Sequence, residues 1–190
     1  MSVPTPPVID LSRAGPGNFR RTRPKWFELL WIVTEALLVT NPLQLSSSLR
    51  RWALVAFGAD IGRGVILRPR LRVKFPWNLS IGDHCWIGEG VWIHNQAMLT
   101  VEHDCVISQE TFLTTGSHRS RTNMDLYVSP IYIEAGVWIT SRCIVLQNVR
   151  IGRNALVTPG SVVIRSLDAN GIYSGNPARQ IGQRFGKPES

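Results

Sequence analysis

The chain lacks an apolar stretch long enough to cross a membrane. A spanning helix needs about 20 mostly apolar residues, whereas the best candidate, residues 27–39, has 13 and includes Glu28 and Glu35. The sequence also shows no basic start followed by an apolar stretch and a small-residue cleavage site, the pattern of a signal peptide. These absences exclude a membrane-spanning class and lead us to expect a cytoplasmic protein.

Lysine is nearly absent as well. Only Lys25, Lys74 and Lys187 accompany 18 arginines, and 13 acidic residues leave a net charge of +8. The planar guanidinium of arginine suits bidentate recognition of phosphate. The excess favours an anionic partner, which could be a nucleic acid, an anionic membrane surface or a polyanionic small ligand such as coenzyme A. Nucleic acid is the weakest of the three, because the basic residues are spread along the chain and form no recognised motif.

What the sequence does contain is a period of six residues. Aliphatic side chains recur at that spacing in three runs, and the fourth residue after each of the first eleven is small or β-branched. Neither a helix nor a strand has this period, so each unit must be a short extended face followed by a corner. Three faces close a coil of roughly 18 residues, with the aliphatic inside and the small residue at the corner. The aliphatic positions are Ile81, Ile87, Ile93; Val101, Ile107, Leu113; and Ile133, Ile139, Val145, Ile151, Val157, Val163.

The three cysteines obey the same period. Cys85, Cys105 and Cys143 all occupy the small corner position. A disulfide or a metal cluster is possible in principle, but the period already explains all three as small buried side chains. We therefore predict that they pack in the core.

The segments before the repeat differ in composition. Residues 1–24 contain five prolines and four arginines, which predicts a flexible, extended segment. Residues 25–58 are predicted to form a helical cap of two helices that covers the open end of the solenoid and can contact a membrane surface. In the first helix Trp26, Leu29, Leu30, Val33, Leu37 and Leu38 recur three and four residues apart.

The chemistry must come from the interruptions of the repeat or from the space between neighbouring subunits, because a regular solenoid has no concave cavity of its own. The period breaks at residues 74–80, takes two extra residues near Leu99 and Thr100, and breaks longest at residues 119–132. His118 stands at the start of the longest break. An imidazole titrates near neutrality, so His118 is a candidate general base for a hydroxyl or an amine.

These residues resemble a known family, the hexapeptide-repeat acyltransferases, and in particular the colanic-acid or exopolysaccharide biosynthesis O-acetyltransferase type. The similar stretches, in the same order, cover most of residues 57–181. They are residues 57–65 (FGADIGRGV), 68–73 (RPRLRV), 75–83 (FPWNLSIGD), 86–93 (WIGEGVWI), 107–109 (ISQ), 115–118 (TGSH), 137–139 (VWI), 159–163 (PGSVV) and 175–178 (GNPA).

The resemblance implies an all-β fold, a left-handed parallel β-helix, assembled as a homotrimer with active sites between subunits and acetyl-CoA as donor. It implies that His118 deprotonates the acceptor hydroxyl and that Asn95 lines the acceptor site. It also implies a coenzyme path along Trp138, Gly160 and Ser161. Basic residues near the coenzyme phosphates would be Arg165, Arg179 and Arg184.

Two departures affect the acceptor site. Gln96 and Ala97 follow Asn95 where the family has an apolar pair, and Arg119 follows His118 where the resemblance leads us to expect an acidic residue. A zinc enzyme of the γ-carbonic anhydrase type is an alternative on the same coil, but no two of the four histidines have the spacing that it needs. A non-catalytic solenoid that serves as scaffold or binding module is a third possibility.

The expected organisation is a flexible segment (residues 1–24), a helical cap (25–58), a β-helix acyltransferase domain (59–165) and a C-terminal tail (166–190). The expected reaction moves an acetyl group from acetyl-CoA to a hydroxyl of a sugar or a polysaccharide precursor, with no metal. The acceptor could be a lipid-linked oligosaccharide at the inner membrane face, a free sugar, or another small hydroxyl or amine compound.

Overall fold

The computed structural model describes residues 8–186, so the ends of the predicted segments 1–24 and 166–190 lie outside the described residues. Two helices precede the solenoid. Helix α1 (Lys25–Thr34) continues as one π-helical turn (Glu35–Val39). Helix α2 (Ser47–Ala56) is capped at its N-terminus by Ser46, whose side chain accepts a hydrogen bond from the Leu49 amide. Short 3-10 turns lie at Leu11–Arg13 and Pro76–Asn78.

Nineteen short strands follow within the described residues. They are β1 (Asp60–Ile61), β2 (Ile66–Leu67), β3 (Arg72–Val73), β4 (Leu79–Ile81), β5 (Trp86–Ile87), β6 (Trp92–His94), β7 (Leu99–Val101), β8 (Val106–Ile107), β9 (Phe112–Thr114), β10 (Gly116–His118), β11 (Leu126–Val128), β12 (Ile131–Ile133), β13 (Trp138–Ile139), β14 (Ile144–Val145), β15 (Val149–Ile151), β16 (Leu156–Val157), β17 (Val162–Val163), β18 (Gly171–Ser174) and β19 (Arg179–Gln183).

The strands form three parallel sheets that are the three sides of a left-handed β-helix of about six turns, which confirms the predicted fold. Sheet A has the order β1-β4-β7-β12-β15. Sheet B has the order β2-β5-β8-β13-β16-β18, with β19 antiparallel at its edge. Sheet C has the order β3-β6-β9-β14-β17. Where the coil is uninterrupted, Ile133 pairs with Ile151, which is the predicted coil of 18 residues.

The inward side chains stack in register and form one continuous core. On sheet B, for example, Ile87, Ile107 and Ile139 pair in sequence, and each is 0% exposed. Every aliphatic at the six-residue period is buried. Cys85, Cys105 and Cys143 are buried and free, so the packing prediction is confirmed.

The cap satisfies the open backbone edge of the first coil. Trp31 donates its indole N–H to the Val73 carbonyl at 2.8 Å, while the Glu35 carboxylate accepts the Val73 amide at 2.6 Å. The Ser47 hydroxyl accepts from the Leu67 amide at 2.9 Å, and Arg51 donates to the Ile61 carbonyl at 2.6 Å. An unpaired buried backbone group is costly, so the cap replaces the coil that would otherwise have to precede the first one.

Three boundaries differ from the sequence prediction. The two extra residues after β6 lie before Leu99, because Leu99–Val101 is itself a strand of sheet A. The solenoid also continues past residue 165, since β18 pairs in parallel with β16 and Tyr173 continues the inward column of sheet B. Part of the predicted flexible segment is also docked, since Gly15 and Asn18 form hydrogen bonds with residues 125–128.

One prediction follows from the inward column. Ile107→Ala leaves a cavity in a core that cannot collapse, so we expect it to lower the free energy of unfolding by about 2–5 kcal/mol. Val106→Ala is the matched control, because Val106 lies in the same strand and its side chain points outward. Denaturant titrations of the two variants should differ clearly, and equal losses of stability would contradict the column.

Candidate functional site

The longest interruption of the repeat, where the sequence predicts only a break in the period, is a projecting β-hairpin. Strands β10 and β11 pair antiparallel, with Ser117 opposite Tyr127 and His118 opposite Leu126. We call residues 116–128 the arm. It leaves the coil after β9 and returns at β12, which pairs with β7 in the ordinary parallel register.

The root of the arm is fixed by buried polar groups. Thr115 is fully buried, its hydroxyl accepts from the Ala97 amide at 2.8 Å, and its carbonyl accepts from the Ser129 amide at 2.9 Å. The Gln96 side chain packs over Gly116, where a Cβ would stand 2.1 Å from Oε1 of Gln96 and would displace that side chain. The arm therefore leaves the solenoid in a defined direction.

His118 is exposed on the first strand of this arm. Its Nδ1 lies 2.8 Å from the Met124 carbonyl oxygen. A carbonyl oxygen only accepts hydrogen bonds, so Nδ1 must carry the proton and Nε2 of the neutral ring holds the lone pair. Nε2 has no hydrogen-bond partner among residues 8–186. The geometry thus leaves one ring nitrogen free to accept a proton.

The Met124 carbonyl is itself positioned by the turn of the arm. Met124 has φ +58°, a left-handed conformation, and its amide donates to the Arg119 carbonyl at 3.2 Å. The Arg119 amide in turn donates to the Asp125 carbonyl at 2.9 Å. These contacts close the turn between the two strands. The turn was not predicted from the sequence.

A second unpredicted feature is the N-terminal strap, residues 15–18, which lies along the outer edge of β11. The Gly15 amide donates to the Asp125 carboxylate at 2.7 Å, and its carbonyl accepts from the Leu126 amide at 3.1 Å. The Asn18 side chain donates to the Val128 carbonyl and accepts from the Val128 amide, both at 2.8 Å. The described part of the predicted flexible segment is therefore docked on the arm.

The strap and the arm enclose a polar cleft of about 530 Å³. Its lining includes Arg20 from the segment that follows the strap and Arg119 from the residue after His118. Neither arginine forms an ion pair within the described residues. The Asp125 carboxylate lines the same cleft, so two cations and one anion leave it a net positive charge, and His118 is not part of its lining.

Asn95 does not have the position that the resemblance implied. Its side chain is fully buried, its amide nitrogen donates to the carbonyls of Phe75 (2.7 Å) and Asn78 (2.9 Å), and its oxygen accepts from the Phe75 amide. Both amide hydrogens are used by the backbone. We therefore correct the prediction that the Asn95 side chain contacts an acceptor, since it instead holds the loop of residues 75–78 in place.

A directed chain of hydrogen bonds leads to the root of the arm. Lys74 Nζ can only donate, so it donates to Nε2 of His94 at 3.1 Å, and Nδ1 of His94 then donates to the Thr114 hydroxyl at 3.3 Å. The Thr114 hydroxyl donates to the Gly116 carbonyl at 3.1 Å. Burial and the charges of Lys74 and Arg72 lower the pKa of His94, while burial lowers the pKa of Lys74. His94 is therefore held neutral.

The outward side chains of the three sheets differ in character. On sheet A they are polar, on sheet B they are mostly apolar, and on sheet C aromatic and aliphatic residues follow Arg72, whose guanidinium lies 3.9 Å from the Trp92 ring centre. The outward residues are Asp60, Ser80, Thr100, Tyr132 and Arg150 on sheet A, Ile66, Trp86, Val106, Trp138, Leu156 and Ile172 on sheet B, and Arg72, Trp92, Phe112, Ile144 and Val162 on sheet C.

The predicted coenzyme residues lie away from the arm in the single chain. Trp138 is on sheet B, where its indole donates to Ser108 at 3.0 Å, whereas His118 follows a strand of sheet C. Gly160 (φ +72°) has open space where a Cβ would be, and with Gln109 and Arg142 it lines a cleft of about 580 Å³. Ser161 is fully buried, its hydroxyl accepts from the Gly175 amide, and its own amide and carbonyl are hydrogen-bonded to Thr158 and Ile144, so no group of Ser161 is exposed in the single chain.

The three predicted arginines divide into two groups. Arg165 and Arg179 are exposed and form no ion pair within residues 8–186. Arg184 donates to the carbonyls of Gly136 (2.7 Å) and Asn154 (3.3 Å), so part of its guanidinium is committed to the fold. Among the same residues, no group of three or more His, Cys, Asp or Glu side chains could hold a metal ion.

The solenoid and its histidine arm define the class of hexapeptide-repeat acyltransferases. No family model matches the chain. The protein named "Putative colanic acid biosynthesis acetyltransferase WcaF" from Escherichia coli K12 is 34% identical over 170 residues, which are 89% of this chain and 93% of that protein. The galactoside O-acetyltransferase of the same organism is 28% identical over 127 residues, which are 65% of this chain and 63% of that protein.

Solved structures agree on the fold. A hexapeptide-repeat acetyltransferase from Vibrio cholerae, complexed with acetyl coenzyme A, superposes with a TM-score of 0.77 at 23% identity and covers 85% of this chain and 89% of its own. A galactoside acetyltransferase in complex with coenzyme A gives a TM-score of 0.73 at 20% identity, with 84% and 82% covered. The chain belongs to the hexapeptide-repeat acetyltransferase family, and it is an acyltransferase.

The strap yields a prediction about the arm. A Cβ at Gly17 would stand 1.8 Å from the Leu126 carbonyl oxygen, and Gly17 has φ +53°, so Gly17→Ala should detach the strap from β11. We expect faster hydrogen–deuterium exchange over residues 116–128 and a kcat lowered by about 10- to 100-fold through loss of positioning.

Gly186→Ala is the matched control for that substitution, because a Cβ there meets no atom within 4 Å. It should leave both measurements at the wild-type value. Unchanged exchange of the arm in Gly17→Ala would show that the strap does not hold it.

Proposed function

We propose that this protein transfers an acetyl group from acetyl-CoA to a hydroxyl of a sugar or of a polysaccharide precursor, with His118 as general base. The observation that carries the proposal is the 2.8 Å contact between His118 Nδ1 and the Met124 carbonyl, which leaves Nε2 as the proton acceptor. The names of the relatives support the donor and the acceptor class, since they include a galactoside O-acetyltransferase and a solved complex with acetyl coenzyme A.

In the proposed reaction, Nε2 of His118 takes the proton of the acceptor hydroxyl while its oxygen attacks the thioester carbonyl carbon. The tetrahedral intermediate then collapses, the carbon–sulfur bond breaks, and the protonated imidazole returns its proton to the leaving thiolate. The products are an acetyl ester and free coenzyme A. The Met124 carbonyl stabilises the protonated imidazole, because a ring N–H bond to a carbonyl is strengthened by the positive charge.

The cysteines do not offer a competing covalent route. All three side chains are buried at corners of the coil. Burial raises the pKa of the Cys143 thiol, and the hydrogen bond with Cys85 together with burial raises that of Cys105. The same hydrogen bond lowers the pKa of the Cys85 thiol, but this side chain is fully buried. A nucleophilic cysteine needs a thiolate at an accessible position. Direct attack by the acceptor is therefore the mechanism that the geometry supports.

The proposal includes a homotrimer with the site between subunits. One subunit carries Trp138 on sheet B and the arm beside sheet C. A three-sided solenoid in a closed ring of three presents two different faces to its two neighbours, and the outward residues supply two largely apolar faces and one polar face. The arm of one subunit would then lie against sheet B of its neighbour, where the exposed Trp86 and Trp138 stand.

The proposed coenzyme path runs along Trp138 and Gly160 towards Arg165 and Arg179, whose charges suit phosphates. The positive cleft between strap and arm suits an acceptor that carries a phosphate, as a lipid-linked oligosaccharide does. Such an acceptor, an origin of the donor in the cytoplasm and a contact of residues 25–58 with the inner membrane face form one consistent proposal. If the acceptor is a soluble sugar, the chemical mechanism is the same and no membrane contact is required.

Replacing the proposed base tests the mechanism. We expect His118→Ala to lower kcat by about 100- to 10,000-fold, the usual contribution of a general base, with the KM for acetyl-CoA little changed. Release of free thiol from acetyl-CoA in the presence of sugar acceptors measures the rate. His103→Ala is the control, since His103 is also exposed and lies far from the arm in the fold. A His118→Ala enzyme with wild-type kcat would refute the mechanism.

Mixed trimers test the shared site. His118→Ala and Trp138→Ala should each be impaired as pure proteins, whereas unfolding and refolding them together should restore part of the activity. In a mixed trimer, intact His118 from one protomer meets intact Trp138 from its neighbour. No recovery of the rate on mixing would place both residues in one subunit's site, or would exclude Trp138 from it.

A further inference from the structure

The outer surface of the helical cap is apolar and exposed. On α1 and its π-helical turn, Trp26 is 67% exposed, Leu29 62%, Leu37 60% and Val33 51%. Their spacing of three and four residues places them on one side of the helix. These residues belong to the three-and-four spacing that predicted the helix, but the residues of this segment that are buried or half-buried include Phe27, Trp31, Leu38 and Val39. Helix α1 therefore has two apolar sides, and only one of them has a partner.

The exposed side points away from the coils. Trp31 is 1% exposed and bonds to Val73 in the first coil, so its side of α1 faces the solenoid. At about 100° per residue, Leu29 and Val33 lie roughly 160° around the helix from Trp31. Their side chains thus project along the axis of the solenoid, whereas neighbours in a trimer would pack against its lateral sheets.

Helix α2 and the preceding loop extend the surface. Arg50, Ala53 and Leu54 are fully buried against the first coil, and Trp52 and Val55 project from the opposite side of α2. In the loop, Leu43 is 87% exposed and Leu45 78%. Isolated exposed apolar residues are ordinary, but a contiguous set at one end of a molecule marks an interaction surface.

The charges around this surface are basic. Arg21, Arg23 and Lys25 stand immediately before Trp26, and of these three only Arg21 forms an ion pair within residues 8–186, with Glu28. The two carboxylates of the helix do not offset them. The Glu28 side chain is 17% exposed and is neutralised by Arg21, and Glu35 is turned inward to the Val73 amide. An apolar helix face with tryptophan and a cluster of basic residues fits an anionic lipid surface.

We propose that the outer face of the cap, comprising Trp26, Leu29, Leu30, Val33, Leu37, Leu43, Leu45, Trp52 and Val55, binds the surface of an anionic phospholipid bilayer. The contact is peripheral, since none of the helices within residues 8–186 is long and apolar enough to cross a membrane. It sets the solenoid upright on the bilayer. Residues 19–24 join the strap to α1, and the strap in turn pairs with the arm, which leaves the solenoid after the third strand of sheet C counted from the cap.

The test is sedimentation of the full-length protein with vesicles, in the absence of any substrate. Vesicles of phosphatidylcholine with about one third phosphatidylglycerol should bind the protein, those of phosphatidylcholine alone should bind it at least tenfold more weakly, and high salt should reduce binding. Leu29→Ser combined with Val33→Ser should lower the affinity for anionic vesicles at least tenfold. Ile181→Ser combined with Phe185→Ser, two exposed apolar residues of the tail, should not change it.

Three results would overturn the proposal. The wild-type protein could fail to sediment with anionic vesicles, or the Leu29/Val33 variant could bind them as well as the wild type does. The same variant could also change the oligomeric state in analytical ultracentrifugation, which would identify the face as a contact between copies of this chain. Transfer of acetyl groups to a soluble sugar should be equal in both double variants, so loss of vesicle binding and loss of the proposed activity are measured separately.

Discussion

Each coil of this solenoid must place its inward side chains directly over those of the coil before it. The three columns, of which Ile87, Ile107 and Ile139 are part of one, leave no freedom of register, because a shift by one residue would turn the apolar side chains outward. Corners must then be tight, which is why Cys85, Cys105 and other small side chains occupy them. Whatever does chemistry has to be added outside this column, and the arm, the strap and the cap are the three additions.

The sequence predicts the column almost completely because its signal is local and repeated. Burial of the i position and of most i+4 positions follows from the period alone. The period also locates the departure beside His118. The prediction fails where the partner of a segment is remote in sequence. Asn18 forms hydrogen bonds with Val128, at a separation of 110 residues, and nothing in a segment rich in proline and glycine identifies the outer edge of β11 as its partner. The contact between His118 and the Met124 carbonyl could not be predicted for a related reason, because every residue has a backbone carbonyl and the residue type does not show which one accepts.

In two further cases the sequence does carry a signal, but the signal fits more than one structure. Helix α1 carries apolar residues on two sides, and periodicity predicts a helix without saying which side meets the core; the indole of Trp31 decides this by reaching a carbonyl of the first coil. Asn95 is polar and stands one coil before the histidine, which suggests a binding residue. The loop at residues 75–78 leaves backbone groups unpaired within the coil, and the Asn95 amide satisfies them.

The way the arm returns to the coil has a wider consequence. Ile131 pairs with Leu99 and Ile133 with Val101, in the same register that a coil without an insertion would have. The insertion at this corner, which includes the arm, leaves the inward column unchanged. The corners of such a solenoid can therefore accept hairpins of different length and chemistry, during evolution or by design, while the scaffold that presents them stays unchanged.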